Sequence, residues 1–254
     1  MDAVVLAGGR THPKDPLYEM TGGGLKSILK IAGKPMIQWV LDALSGAELI
    51  DSIAVVGIEG GSGLHFDKEI SYLCDSGSLF ENIKLGCEHF AKIHPDRSHV
   101  ITISADIPAV TSKIIDDCIQ QYQKTDFDVC YSVIERAVME RRFPDSKRTY
   151  VKIKDVEVCG GDLNYINKNI ALHPSGLYNQ LIQNRKNPLK QASIIGLDTL
   201  LLLVMGKLSL DDAAARVSRR LGFSGKAFRL PYAEVGMDVD KPFQFQIVEN
   251  DLMR

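Results

Sequence analysis

Residues Val4 to Arg10 read VVLAGGR, an apolar run that breaks into two glycines and then an arginine. A short run with no polar alternation suits a strand buried on both faces, and such strands belong to parallel sheets covered by helices. Glycine loses more backbone entropy on folding than any other residue and packs nothing. Two of them at the end of a buried strand mark a backbone that something must approach closely. In an open α/β sheet, ligands bind outside the carboxyl ends of the strands. Backbone N–H groups in such a turn can reach a base or a phosphate with no Cβ in the way. Arg10 adds a permanent charge able to hold phosphate oxygens in a fork. A plain strand-ending turn is the alternative that Ala7-Gly8-Gly9 leaves open by itself.

The sequence that follows alternates strand and helix patterns. Pro35 starts a helix whose Met36, Ile37, Val40, Leu41 and Leu44 share one face, and Ser52 to Gly57 reads as a second buried strand. Leu79, Phe80, Ile83, Phe90 and Ile93 fit a helix, and a strand follows at His99 to Ser104. Thr111 caps a further helix carrying Ile114, Ile115, Cys118, Ile119 and Tyr122, and Phe127 to Ile134 returns as a strand. This order predicts a mainly parallel sheet wrapped by helices on both faces. In the second half, Tyr150 to Val158 alternates like one half-exposed antiparallel strand. Residues of about 175–222 read as helical, with Ser209, Asp211 and Asp212 at a helix start. Lys226 to Leu230 and Val235 to Val239 read as returning strands, and Pro242 opens a last helix. With no repeat and no Pro/Ser-rich linker, the expectation is one domain over residues 1–254 with a helical elaboration at about 175–222.

Composition excludes several functions. A net charge of -2 argues against a general nucleic-acid binder. The longest aliphatic run, Leu200 to Met205, is too short to cross a bilayer, although the exposed stripe Leu200 to Val204 would suit a homodimer contact. One Met, an acidic Asp2 and then a strand do not read as a signal peptide, so the expected location is cytoplasmic. Cys74, Cys87, Cys118, Cys130 and Cys159 form no C-x-x-C pair, and the histidines have no metal-ligand spacing. The dinucleotide pattern G-x-G-x-x-G is absent. Gly22-Gly-Gly-Leu-Lys-Ser27 approaches a P-loop, but Leu25 stands where the glycine before the lysine is needed.

What lies beyond the glycines is more specific. LAGGR is followed by a loop and then by LKSILKIAGKPMIQWVLDAL. The span resembles the L-A-G-G-x-x-x-R and K-x-L-x-x-x-x-G-K-P-M signature of nucleotidyltransferases with a glycosyltransferase-A-like fold, above all the MobA-like NTP transferases. The resemblance implies a three-layer α/β/α fold with a Rossmann-like mixed, mainly parallel sheet of the nucleotide-diphospho-sugar transferase type. It also implies that Leu6, Ala7, Gly8 and Gly9 hold the nucleotide, that Arg10 lies by the phosphates, and that Lys26 contacts them in the transition state. This sequence inserts THPKDPLYEMTGGG after Arg10, which leaves the phosphate-arginine role open between Arg10 and Lys14. Gly22 to Gly24 would let that insert act as a lid.

Carboxylates complete the pattern. Asp106 follows the strand HVITIS, where it either turns the backbone before Pro108 or holds Mg²⁺, a cation that favours oxygen ligands and keeps several waters. GMDVDKPFQF resembles the family's D-x-D-T-P-E-D-L segment, which implies Asp240, with Asp238 assisting, as the second metal carboxylate. Asp240 as a helix cap is the plainer alternative. Gly77, Ser78 and Asn82 resemble the segment that meets base and ribose, while Ser78 with Glu81 also makes a capping box. Arg148 and Lys186 sit in basic clusters suited to a phosphorylated acceptor or to a solvated loop. Gly161 and Asp162 resemble the segment that closes over the acceptor.

The implied reaction joins NMP from an NTP to a phosphorylated small molecule and releases pyrophosphate, with Mg²⁺ (or Mn²⁺) as cofactor and Lys26, Arg10 and Asp106 catalytic. Two other readings stand beside it. One is a glycosyltransferase using a nucleotide-sugar, which would need a D-x-D at the end of a central strand where the sequence reads Ser104-Ala-Asp106. The other is a non-catalytic nucleotide sensor.

Overall fold

The computed structural model describes residues 1–59, 63–154, 156–174, 176 and 207–254. Strand β1 (Asp2–Leu6) is the centre of the first half. The strands that follow there are the short pair β2 (Lys30–Ile31) and β3 (Lys34–Pro35), then β4 (Ser52–Val56), β5 (Glu69–Leu73) and β6 (His99–Ser104). The helices are α1 (Tyr18–Thr21), α2 (Met36–Gly46), α3 (Leu79–Ile93) and α4 (Ser112–Gln123). The second half holds β7 (Val129–Glu135), α5 (Arg136–Arg142), β8 (Val151–Ile153), β9 (Val156–Gly160), β10 (Leu163–Asn167), α6 (Lys168–Leu172), α7 (Leu210–Leu221), β11 (Gly225–Arg229) and α8 (Pro242–Leu252).

β1 pairs in parallel with β4 on one side and β6 on the other, and β5 adds a further parallel strand outside β4. Leu6 stands level with both Val56 and Ser104, so the carboxyl ends of three strands share one edge. Period-two alternation sorts the core. Ala3 and Val5 face a large cluster with Met36, Ile37, Leu41 and Leu44 of α2 and Ile115, Ile119 and Tyr122 of α4. Val4 faces the opposite cluster with Ile83, Cys87 and Phe90 of α3 and Ala171 of α6. Helices therefore cover both faces, as the sequence implied. α3 starts at the strand-end edge, capped by the Ser78 hydroxyl, and Lys168 closes its far end by donating to the Phe90 and His94 carbonyls.

The sheet is mixed. β10 runs antiparallel between β6 and β7, β9 pairs antiparallel with the far end of β7, and β11 lies parallel along β7. Two expectations need correction. Tyr150 to Val158 is not one strand: it folds back as the β8–β9 hairpin, turning near Lys154 at φ +44°. Alternation persists through the turn and hides it. Val235 to Val239 is not a strand either, although Val235, Met237 and Val239 do alternate inward and are fully buried. A 3₁₀ turn covers Ala233–Gly236, and the backbone bonds run to loops, from Asp162 N–H to the Val235 carbonyl and from Val239 N–H to the Asp106 carbonyl. The insert after Arg10 forms a compact loop whose stem is a bridge between Arg10 and Leu25, with Thr11 N–H on the Gly24 carbonyl and Leu17 fully buried. Of the expected helical elaboration, α7 is present from Leu210; residues 177–206, with Lys186 and the Leu200 to Val204 stripe, lie outside the described residues. Among the described residues no helix is long and apolar enough to cross a membrane.

One contact sets how closely the strand ends approach. Gly57, just past β4, has φ +105°, and a Cβ there would lie 2.3 Å from Gly8 Cα and N. Gly57→Ala should lower stability by roughly 2–3 kcal/mol, read as a lower urea midpoint at constant m-value. An unchanged midpoint would contradict the packing described.

Candidate functional site

The site begins where β1 stops. Ala7 N–H still reaches the Val56 carbonyl and Ala105 N–H the Leu6 carbonyl, and the backbone then leaves the sheet as Gly8-Gly9. The two glycines are bare for different reasons. A Cβ on Gly8 would lie 2.9 Å from the Asp75 carboxylate and 3.0 Å from the Asn82 amide nitrogen, so close packing excludes it. Gly9 has φ +98° and open space where its Cβ would be, which is the room a ligand needs.

Asp75 ties this turn to the start of α3. Its carboxylate accepts from Gly9 N–H at 3.3 Å, Gly77 N–H at 2.9 Å and the Asn82 amide at 2.9 Å. Those bonds, first Asn82 and then Gly77, hold the Asp75 carboxyl below its ordinary range. Asn82 Oδ1 in turn accepts from the Ser76 N–H and hydroxyl. The cavity beside this network is lined by Leu6, Gly8, Gly9, Gly77, Ser78 and Asn82, all expected from the sequence, and by Asp75, Leu79 and Ser104, which were not. Ala7 is buried beneath the turn. Ser78 Oγ also accepts from Glu81 N–H at 3.2 Å, so the capping bond is real and coexists with the cavity.

Beyond Ser104 the site becomes charged. Lys26 opens a 3₁₀ turn, Lys26–Ile28, that Ser27 pins to the floor by donating to the Ala7 carbonyl at 2.8 Å. Its ammonium lies 2.5 Å from Asp106 Oδ2 and 2.5 Å from Asp240 Oδ1. Burial works to discharge Lys26, but Asp106 and then Asp240 override it and raise its pKa well above the ordinary lysine value. Ser104 Oγ donates to Asp106 Oδ1 at 2.5 Å, which leaves Oδ2 for the cation. Asp240 is positioned through its N–H, which donates to Gln244 Oε1 at 3.0 Å.

The remaining expected residues divide. Asp238 is ion-paired with Arg148 and so is committed away from Lys26. Asp162 sits at the break between β9 and β10, with its carbonyl accepting from Ser104 N–H. Burial, then the Asp106 charge, push its pKa up to about 7 against the opposing pull of Arg148. Gly161 packs on β7, since a Cβ would lie 2.4 Å from Ser132 Oγ. Arg10 is exposed at the stem beside Leu25, the residue before Lys26, whereas Lys14 lies further out on the loop.

Among the described residues no cluster of three or more His, Cys, Asp or Glu side chains gathers that could hold a metal. Asp106 and Asp240 nevertheless aim hard oxygen donors at one point, now held by an ammonium. That donor set fits Mg²⁺, which takes one or two carboxylates and completes its shell with water and phosphate. Sequence reasoning missed Asp75, Ser104 and Gln244. Only Asp75 left a trace, as the first residue of an Asp-Ser-Gly turn.

Residues 3–187 match the family model of the MobA-like NTP transferase domain. A hypothetical transferase structure from Thermus thermophilus is 32% identical, with 96% of this chain and 98% of that one covered and a TM-score of 0.82. CMP:2-keto-3-deoxy-manno-octonic acid synthetase, solved with CTP, is 14% identical over 100% of this chain and 99% of that one, TM-score 0.60. The 4-diphosphocytidyl-2C-methyl-D-erythritol synthase of Anaerococcus prevotii is 12% identical over 100% and 96%, TM-score 0.58. At such identities these two share the fold alone. The bifunctional protein GlmU of Thermoanaerobacter pseudethanolicus is 28% identical over 104 residues, 39% of this chain and 21% of that protein, so the match spans about a fifth of its length.

The raised Asp162 carboxyl gives a pH test. Its folded pKa lies above the unfolded value, so ionising it costs stability, and the cost grows from about pH 4 until it is complete above about pH 7. Asp162→Asn should therefore match the parent near pH 4 and exceed it by on the order of 2 kcal/mol at pH 8, measured by urea denaturation. A difference that does not change with pH would contradict the buried-acid account.

Proposed function

The chain belongs to the MobA-like NTP transferase family and is a nucleotidyltransferase, and on that premise we propose that it transfers NMP from an NTP to a phosphorylated small molecule, such as a sugar phosphate, an alcohol phosphate or a cofactor precursor. The observation that carries this reading is the convergence of Lys26, Asp106 and Asp240 beside the Gly9–Asp75–Asn82 cavity. The nucleoside lies in that cavity, with its base at Gly77, Ser78 and Asn82 and its phosphates running past Gly9 toward Lys26 and Arg10. An oxygen of the acceptor phosphate attacks the α-phosphorus in line, and the bond from that phosphorus to the oxygen bridging to the β-phosphate breaks. The electron pair leaves with pyrophosphate. The nucleophile is already an anion, so no general base is required.

Asp106 and Asp240 would hold Mg²⁺, or Mn²⁺ in its place; when bound, the metal neutralises phosphate charge and orients the in-line displacement. Ser104 keeps one Asp106 oxygen turned toward that point. Lys26 and Arg10 balance the charge that builds on the leaving phosphates. Arg148, Asp162 and Gly161 form the acceptor wall; Lys186 joins them on sequence grounds alone, as does a homodimer contact through Leu200 to Val204. The glycosyltransferase reading is less well supported, because Ser104 offers a hydroxyl where that chemistry wants a second carboxylate. We place the reaction in the cytoplasm, on soluble phosphorylated substrates.

Release of pyrophosphate from each of the four NTPs, in the presence of a panel of phosphorylated acceptors, tests the proposal. One NTP should support turnover, with CTP the first to try because a structural neighbour was solved with it. Asp106→Ala and Lys26→Ala should each lower kcat/KM by about 10²–10³-fold with the fold intact by circular dichroism. No pyrophosphate from any pair, together with glycosyl transfer from a nucleotide-sugar, would overturn it.

A further inference from the structure

The ammonium of Lys26 stands at the point that the two metal-facing carboxylates share. Each contact is 2.5 Å. A Mg²⁺ ion bound by the same two oxygens would sit about 2.1 Å from each, on the ground that Nζ now occupies. A divalent cation and an ammonium cannot share that ground. The carboxylates are the fixed members: Asp106 is held by Ser104 and by the Val239 N–H on its carbonyl, and Asp240 by Gln244. Lys26 is the member that can move, since its charge rides on a four-carbon stem. The approach is open to solvent, because Asp240 is half exposed.

We propose that Lys26 is a resident counter-ion that keeps divalent metal out of the nucleotide-free site and gives up its place only when a triphosphate offers it new anionic partners. The inference rests on the metal and phosphate roles of the preceding section and goes beyond them. Metal entering alone must strip the ammonium of two carboxylates and leave it to water. Metal entering with a triphosphate moves the ammonium from carboxylates to phosphates. Metal and nucleotide binding are therefore coupled through one side chain, and the coupling is reciprocal. The lysine that steadies the phosphates during transfer thus also sets the order in which the site fills.

Mn²⁺ binding, followed by electron paramagnetic resonance of the free ion, tests this without any turnover. In the absence of nucleotide, Lys26→Met should bind Mn²⁺ at least tenfold more tightly than the parent, and Lys26→Arg should stay as weak as the parent. Arg10→Met removes a positive charge from the same mouth without vacating the point between the carboxylates, and should change the affinity less than twofold. With a non-transferable α,β-methylene triphosphate present, the parent should approach the Lys26→Met value. Where Lys26→Met does not fold, Lys26→Gln serves the same comparison. Equal Mn²⁺ affinity in parent and Lys26→Met would overturn the exchange, and so would an equal gain in Arg10→Met, which would reduce the effect to a general field. If the parent releases pyrophosphate yet shows no such difference, the exchange alone fails. If neither protein takes up Mn²⁺ even with the triphosphate, the metal reading fails with it.

Discussion

One ammonium held between two carboxylates organises this protein. Lys26, Asp106 and Asp240 come from three distant parts of the sequence, and the contacts among them require everything beneath to be in register. β1 must end level with β6 for Asp106 to emerge beside the glycine turn. Ser27 must lock the Lys26 turn onto the Ala7 carbonyl, and Val239 must reach the Asp106 carbonyl for Asp240 to arrive. Removing one partner of a partly buried ion group leaves the others uncompensated, which costs far more than an exposed salt bridge is worth. Asp162 shows the same strain from the acidic side: it is a third carboxylate near the pair, and burial together with the Asp106 charge makes it reluctant to ionise.

Two side chains carry this arrangement outward. Ser104 lines the cavity under the glycine turn while its hydroxyl holds Asp106, so the uncharged and charged halves of the site share one residue. Gln244 is buried, with its oxygen on Asp240 N–H and its amide on the Ser146 carbonyl. Ser146 lies between Asp145 at φ +65° and Lys147 at φ +48°, two non-glycine residues in a region that costs backbone energy. The loop carrying Arg148 is thereby fastened to the second carboxylate. Strain of that kind persists only where surrounding contacts impose it, and here the Arg148–Asp238 pair and Gln244 do so.

The sequence made the parallel half of the fold legible because its signals are local. VVLAGGR shows a strand and its end, the α2, α3 and α4 patterns show buried stripes, and Asp106 follows an apolar strand. The six expected residues that line the cavity sit at the end of β1, in the glycine turn, and just before or within the first turn of α3. What was hidden lies in an unannounced turn or in partners far away in sequence. β8 and β9 look like one strand because the turn between them uses Lys154, with no glycine or asparagine to announce it. Val235 to Val239 alternates like a strand, yet its hydrogen bonds go to strand ends and not to a ladder. Gly8 and Gly9 both line the cavity, but Gly57, Asp75 and Asn82, which crowd the place of a Gly8 side chain, come from far along the sequence. Ser104 and Gln244 are ordinary polar residues until the fold gives them a neighbour.

Calorimetric titration of ATP, CTP, GTP and UTP, each with Mg²⁺ and with EDTA, into the parent and Asp106→Ala tests whether the charged triad serves a metal-assisted nucleotide site. One triphosphate should bind selectively, Mg²⁺ should strengthen its binding, and the strengthening should be lost in the variant. Binding indifferent both to Mg²⁺ and to Asp106, or no binding of any triphosphate, would contradict that role.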